Sequence, residues 1–295
     1  MTTTRVIMGE VFIAILAFAV IYAALAPTLQ PIALPQIQIP WLPSEGNMET
    51  ETYTLIKGTN VSQSLNFAKL NITVKFGGVY INFSDRTDLA FEAVFQHTPN
   101  ATQLDSSYSE AGEKLQVNAY GESGGLNITL GKSCQYNGTL DIRLGALLMT
   151  LGQNTNISKF AVDIRYAGGV VLTIDSGASF EQLDLNIDVG GVQLNVEPDS
   201  LNRSGTINAR INIGGLSMGV DVNTGQVGVS LDATVDIGGI TVNQTGFTGS
   251  VSSKQCSVKT DGYNSATNKL DVEADVGLGG VTLQGTVQSF PGFTA

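Results

Sequence analysis

The sequence is poor in the residues that carry most enzyme chemistry. Its 295 residues include one histidine, one tryptophan and two cysteines. Cys134 and Cys256 stand in no CxxC or Cys/His spacing, which excludes the common zinc and dithiol sites, and no metal is expected. The pair leaves two states open: a disulfide closing a long loop in an oxidising compartment, or two buried thiols. His97 stands alone in the stretch FQHTPN, without a Ser, Cys or carboxylate at a recognisable spacing, and is expected at the surface. Nucleophile elbows, HExxH and P-loops are absent, so the chain reads as a non-enzyme without a cofactor.

Charge is also scarce. Only 14% of residues are charged, and 15 Lys and Arg against 26 Asp and Glu give a net charge of −11. Neutralising phosphates takes clustered cations, so nucleic acid is excluded as a partner. Asp184 and Asp188, and then Asp271, Glu273 and Asp275, fall on polar faces at even spacings. Strand alternation accounts for them without a glycosidase-type carboxylate pair. Asp221, Asn223 and Asp232 bear a faint likeness to a calcium loop, but Gly225 and Gln226 stand where such a loop needs a ligand and a glycine.

Glycine, by contrast, is plentiful at 34 residues, and it is placed regularly. In Leu183 to Glu197, Leu183, Leu185, Ile187 and Val189 alternate with Asp184, Asn186 and Asp188. After Gly190-Gly191, Val192, Leu194 and Val196 alternate with Gln193, Asn195 and Glu197. Period two marks half-buried strands, and a glycine pair between two such runs predicts a two-residue hairpin turn with Val189 and Val192 on one face. The unit recurs around Gly77-Gly78 and Gly279-Gly280. Between them Gly124, Gly145, Gly168, Gly190, Gly214 and Gly238 follow at spacings of 21, 23, 22, 24 and 24 residues. Such a period signals stacked supersecondary units. It lapses after Gly239. Residues 85–114 lose the alternation and read as a polar excursion with a short helix around Leu89 to Phe95, and residues 264–269 read as another loop.

The expected fold class is therefore all-β: Gly-Gly hairpins stacked as a β-solenoid or sandwich, preceded by one N-terminal hydrophobic helix. Four segments follow: residues 1–26 as that helix, 27–48 as a proline-rich extended linker, 49–120 as a first β region, and 121–295 as the repeats. No charge occurs from Val11 to Ser44, and the apolar run reaches the length that spans a bilayer. Arg5 places the N-terminus inside and the rest outside. Ile32, Leu34, Ile37, Ile39 and Trp41 make the linker more apolar than a stalk requires, so it is also suited to adding as a strand to a sheet edge.

Asn60, Asn71, Asn82, Asn100, Asn127, Asn137, Asn156, Asn202 and Asn243 each begin an N-x-S/T sequon. The chain's 20 Asn would give about three or four by chance, so nine indicate N-linked glycans on an exported protein. Asn71, Asn82 and Asn127 fall on the polar alternation, where a glycan projects into solvent.

Two resemblances add to this reading. With a mature start at Val6, Glu10 is the fifth residue and Pro27 the twenty-second, which resembles the N-terminal helix of type IV pilins. That likeness implies assembly of residues 6–26 into a filament core, with Glu10 neutralising a neighbouring amino terminus and Pro27 kinking the helix. Arg5 stands where the family has a small residue, and Pro31, Pro35, Pro40 and Pro43 would break a longer helix. An uncleaved membrane anchor and a signal peptide cut after Ala24-Leu25-Ala26 are the other readings of the segment. Second, the strand-GG-strand pattern of Leu115 to Val287 resembles toast-rack and adhesin-type β-repeat families. The function expected from all this is a glycosylated structural or adhesive surface protein, anchored or filamentous and homo-oligomeric. A secreted carbohydrate- or calcium-binding module is the alternative, and a carboxylate-dependent glycan hydrolase the third.

Overall fold

The computed structural model describes residues 49–97, 104–111, 113–197, 200–223 and 226–288. The N-terminal segment 1–48, with Glu10 and Pro27, and the sequon at Asn100 lie outside the described residues. The described chain is all-β, with one 3-10 turn at Tyr263–Ser265.

Six strands run straight through the glycine pairs, or in one case through Gly145-Ala146, instead of reversing there. They are β2 (Phe67–Ser84), β7 (Gln135–Leu151), β8 (Ile157–Ile174), β9 (Phe180–Val196), β10 (Gly205–Asn223) and β11 (Val227–Thr245). The last strand, β14 (Asn268–Gln288), does the same, and β5 (Lys114–Ser123) with β6 (Gly125–Gly131) forms an eighth such unit, interrupted at Gly124. The expected hairpins are thus corrected. Val189 and Val192 belong to one strand, and both halves of β9 pair in parallel with β8 on one side and β10 on the other. A hairpin and a crease both need a glycine of positive φ, and Gly190 has φ +139°. Pairing decides between them: each unit carries two equal arms that its neighbours match, so in-register parallel stacking satisfies both arms at once.

The result is one sheet, creased along a column of glycines into two wings. Gly124, Gly77, Gly145, Gly168, Gly190, Gly214, Gly279 and Gly238 follow each other in space, each too close to the carbonyl of a neighbour to carry a side chain. The inward residues of both wings, from Leu55 to Val287, form a single core. The all-β class is as expected, and the described strands form one open sheet.

Spatial order departs from chain order at both ends. β2 lies between the β5/β6 unit and β7, and β14 lies between β10 and β11. The lapse of the period after Gly239 follows from this: the chain passes through a hairpin, β12 (Phe247–Val251) and β13 (Gln255–Thr260), before returning one unit inward. The polar excursion is also corrected. Its expected helix is strand β3 (Leu89–His97), where Phe91, Ala93, Phe95 and His97 are buried and Glu92, Val94 and Gln96 are not. Polar Asp105–Ala111 forms β4, an edge strand on β5. With β1 (Glu49–Ile56) on β3, the wing after the crease runs β1-β3-β6-β2-β7-β8-β9-β10-β14-β11, while the wing before it ends in β13 and β12.

Candidate functional site: two outward faces

Because the strands are parallel and in register, each outward side chain lies beside its counterpart on the next strand, about 4.8 Å away. On the first wing these rows are charged. Asp184 lies between Ala161 and Asn208, and Asn208 lies beside Glu273; in the next row Asn186, Arg210 and Asp275 follow one another. Asn208 Nδ2 donates to Asp184 Oδ1 at 2.7 Å, Gln182 Nε2 donates to the same oxygen at 2.8 Å, and Lys159 Nζ lies 3.2 Å from Asp184 Oδ2. Asn186 donates to Asp163, Asn212 to Asp188 and Thr234 to Asp275 in the same manner. Burial alone would raise the Asp184 carboxyl, but the bonds from Asn208, Gln182 and Lys159 outweigh it and hold the group below the usual carboxylate range. That favours a fixed anion, the opposite of what a general acid requires. The residues enclose an open groove of about 400 Å³, lined by Gln182, Asp184, Asn208, Arg210, Glu273 and Asp275.

The second wing presents a nearly uncharged face. Thr129, Asn82, Thr150, Thr173, Asn195, Gln284 and Asn243 occupy one row, and Tyr80, Leu148 and Val171 stand side by side in the row next to it. Along the crease, the residues preceding the first glycines form an apolar column: Phe76, Leu144 and Ala167, then Val189, Ile213, Leu278 and Ile237. Phe76 is 49% and Ile237 64% exposed.

The described sequons divide by location. Asn71 and Asn137 are on the first wing's outer face, and Asn82, Asn127 and Asn243 are on the second's. Asn60, Asn156 and Asn202 stand in turns between strands. Asn127 and Asn243 are exposed on strands. Asn60 is exposed but occupied, because its Oδ1 accepts from Ile56 N at 2.5 Å and its Nδ2 donates to Thr54 O at 2.7 Å. Asn202 Nδ2 donates to Gly177 O at 2.9 Å. Asn71 bonds Asn118 at 2.8 Å, and Asn82 bonds Asn127 at 3.3 Å, so neighbouring strands share amide ladders.

Other expected sites resolve differently. Asp221 and Asn223 lie on the second arm of β10 and Asp232 on the first arm of β11, so the calcium-like spacing gathers no loop. Among the described residues no group of three or more His, Cys, Asp or Glu is arranged to hold a metal. Both cysteines are buried and free. His97, expected at the surface, is 1% exposed; it stacks on Phe95 at 5.2 Å, with Nε2 3.5 Å from Glu51 Oε1. Its parity with Phe91, Ala93 and Phe95 was the signal. Among the described residues no helix is long and apolar enough to cross a membrane.

No protein-family model matches the sequence, and no curated protein does. Among solved structures, a candidate cell adhesion protein from Clostridium sporogenes is similar over 81% of this chain and 99% of its own, with a TM-score of 0.52 and 14% identity. Candidate adhesins from Parabacteroides distasonis and Parabacteroides merdae align over 81% of this chain, with TM-scores of 0.23 and 0.26 and identities of 9% and 12%. At 14% identity the likeness to the Clostridium protein concerns the fold, and it fits the resemblance of Leu115 to Val287 to adhesin-type β-repeat proteins.

Proposed function

We propose that this chain is a non-enzymatic structural or adhesive protein of the cell surface. It is N-glycosylated, and it is anchored or assembled into a filament through residues 6–26. The observation that carries this reading is the division of labour along every coil. Inward positions go to a continuous apolar core, and the outward positions of the first wing go to in-register rows of polar groups that bond one another across strands. An architecture of this kind presents extended, rigid faces, which suits repeated weak contacts with a surface better than turnover of a small substrate. The excess of sequons supports the same reading, as does the cell adhesion for which the Clostridium protein is named.

Intact-mass analysis of the native protein, before and after deglycosylation, tests it. The expected result is a mass several glycan units above the polypeptide, falling on deglycosylation, in protein that protease releases from intact cells. A native mass equal to the polypeptide, in protein that protease cannot reach, would overturn the reading.

The groove on the first wing favours a second reading, a carbohydrate-binding module. Asn208, Arg210, Glu273 and Asp275 offer mixed donors and acceptors along one open face. Saccharide binding that is lost in Arg210→Ala would select it.

A further inference from the structure

The second wing stops one strand before its core is covered. In β11, Ile240–Thr245 pairs with Val281–Thr286 of β14 on one edge, and among the described residues no strand pairs with the other edge. The first arm of β11, in contrast, is paired on both edges, by β14 and by β13. Ile240 N–H points to the open edge, where among the described residues it meets only Ser253 O of the β12–β13 turn, at 3.2 Å. Alternation along the strand puts the backbone groups of Val242 and Gln244 on that same edge. Side chains agree with the backbone. The inward pairs Val79/Ile81, Leu147/Met149, Val170/Leu172, Val192/Leu194, Leu216/Met218 and Val281/Leu283 are all buried, whereas Ile240 and Val242 are only partly so. Among the described residues no group bonds Gln244 Oε1, which is buried at the same place.

We propose that this edge receives residues 36–41 of a second copy of the chain as an added strand. The inference rests on the assembly half of the function proposed above. Gln36-Ile37-Gln38-Ile39 continues the alternation of Ile240-Thr241-Val242-Asn243. Ile37 and Ile39 extend the apolar layer over Ile240 and Val242, while Gln36 and Gln38 extend the uncharged outer row of Thr241 and Asn243. The N–H groups of Ile37, Ile39 and Trp41 share one edge of such a strand, and between residues 36 and 41 that edge carries no proline. Pro40 faces the other side, the outer edge of the completed sheet, where proline is tolerated.

Reach makes the donor a second copy. β1 begins at Glu49, nine strand steps from β11 in the same wing, a distance of about 43 Å at the usual strand spacing. The eight residues from Trp41 to Glu49 span at most about 28 Å. A chain therefore cannot fill its own edge with residues 36–41, but it can fill that of a neighbour placed against its β1 end. Because donor and acceptor lie at opposite ends of one wing, the contact is head to tail and does not close on itself, the geometry of a filament.

The test uses full-length protein in detergent, in two differently tagged forms, one carrying Gln38→Cys and the other Thr241→Cys. Oxidation after mixing should give a disulfide between the two forms, and Ile37→Asp with Ile39→Asp in the donor should abolish it while circular dichroism stays unchanged. Multimers that persist without this bond, or with it insensitive to the Asp pair, overturn the inference and leave assembly through residues 6–26. Wild-type protein that forms no multimers overturns both. A bond formed only within one chain, either from Gln38→Cys to Thr241→Cys or from Thr294→Cys to Thr241→Cys, overturns it in favour of a self-covered edge.

Discussion

Replacing Gly190 by alanine probes the crease where backbone meets backbone. The residue has φ +139°, and an added Cβ would lie 1.6 Å from Gly168 O and 2.8 Å from Gly168 C. Neither atom can yield, because both belong to the backbone of a strand paired on both sides. Holding an L-residue in a sparsely populated backbone region costs about 1–3 kcal/mol, and overpacking against fixed atoms costs about 1–3 kcal/mol more. A total near 4 kcal/mol corresponds to a drop of about 8–16 °C in thermal midpoint for a domain of this size. Gly78→Ala is the control. A Cβ there meets no described residue within 4 Å, and the neighbouring unit already has Ala146 at the equivalent position. Its thermal midpoint should stay within about 2 °C of wild type, or rise slightly as the unfolded chain loses freedom. Thermal unfolding followed by far-ultraviolet circular dichroism reads both variants. Equal midpoints for Gly190→Ala and Gly78→Ala would refute the backbone-contact argument.

Three further outcomes are expected. Asn82 and Asn127 share a hydrogen bond on adjacent strands, so peptide mapping of the native protein should find a glycan on one or the other but never on both in one molecule, and Asn127→Gln should leave the fold intact. Burial and the nearby Asp232 push the Cys256 thiol above its usual range, and Cys134 is equally buried, so both should react with a thiol reagent at pH 8 only as the protein unfolds. Asp184 is held below the usual carboxylate range, so its contribution to stability is complete above the unfolded value of about 3.9 and is lost as pH falls through the lower folded value. The gap in urea midpoint between wild type and Asp184→Asn should therefore be wider at pH 5 than at pH 2.

Much of the architecture was legible in the sequence, because alternation fixes which side chains face the core whatever the strands pair with. Leu183, Leu185 and Ile187 are buried and Asn127 faces solvent for that reason alone. What period two cannot specify is the partner. Gly190-Gly191 satisfies a hairpin and a crease equally, and only parallel pairing with β8 and β10 distinguishes them. The strand Leu89–His97 was hidden because Ala90 and Ala93 fit either period, and His97 was misplaced with it. Nor does the 24-residue step from Gly214 to Gly238 reveal that Gly279 lies between them in space. Among the candidate sites, the outward carboxylates were legible as a row. Their bonds to amides of the next strand depend on the stacking order, and so does the open edge of β11.

That order is what a pair of engineered disulfides tests most directly. Ser217 of β10 lies directly beside Thr282 of β14, which in turn lies beside Thr241 of β11. Adjacent parallel strands bring Cα atoms to about 4.8 Å, within disulfide range, while two strands apart, at about 10 Å, is beyond it. Ser217→Cys with Thr282→Cys should oxidise to an intramolecular disulfide, and Ser217→Cys with Thr241→Cys should remain reduced. The reverse result would mean that the units stack in the order of the chain, contradicting both the inserted β14 and the open edge that it leaves.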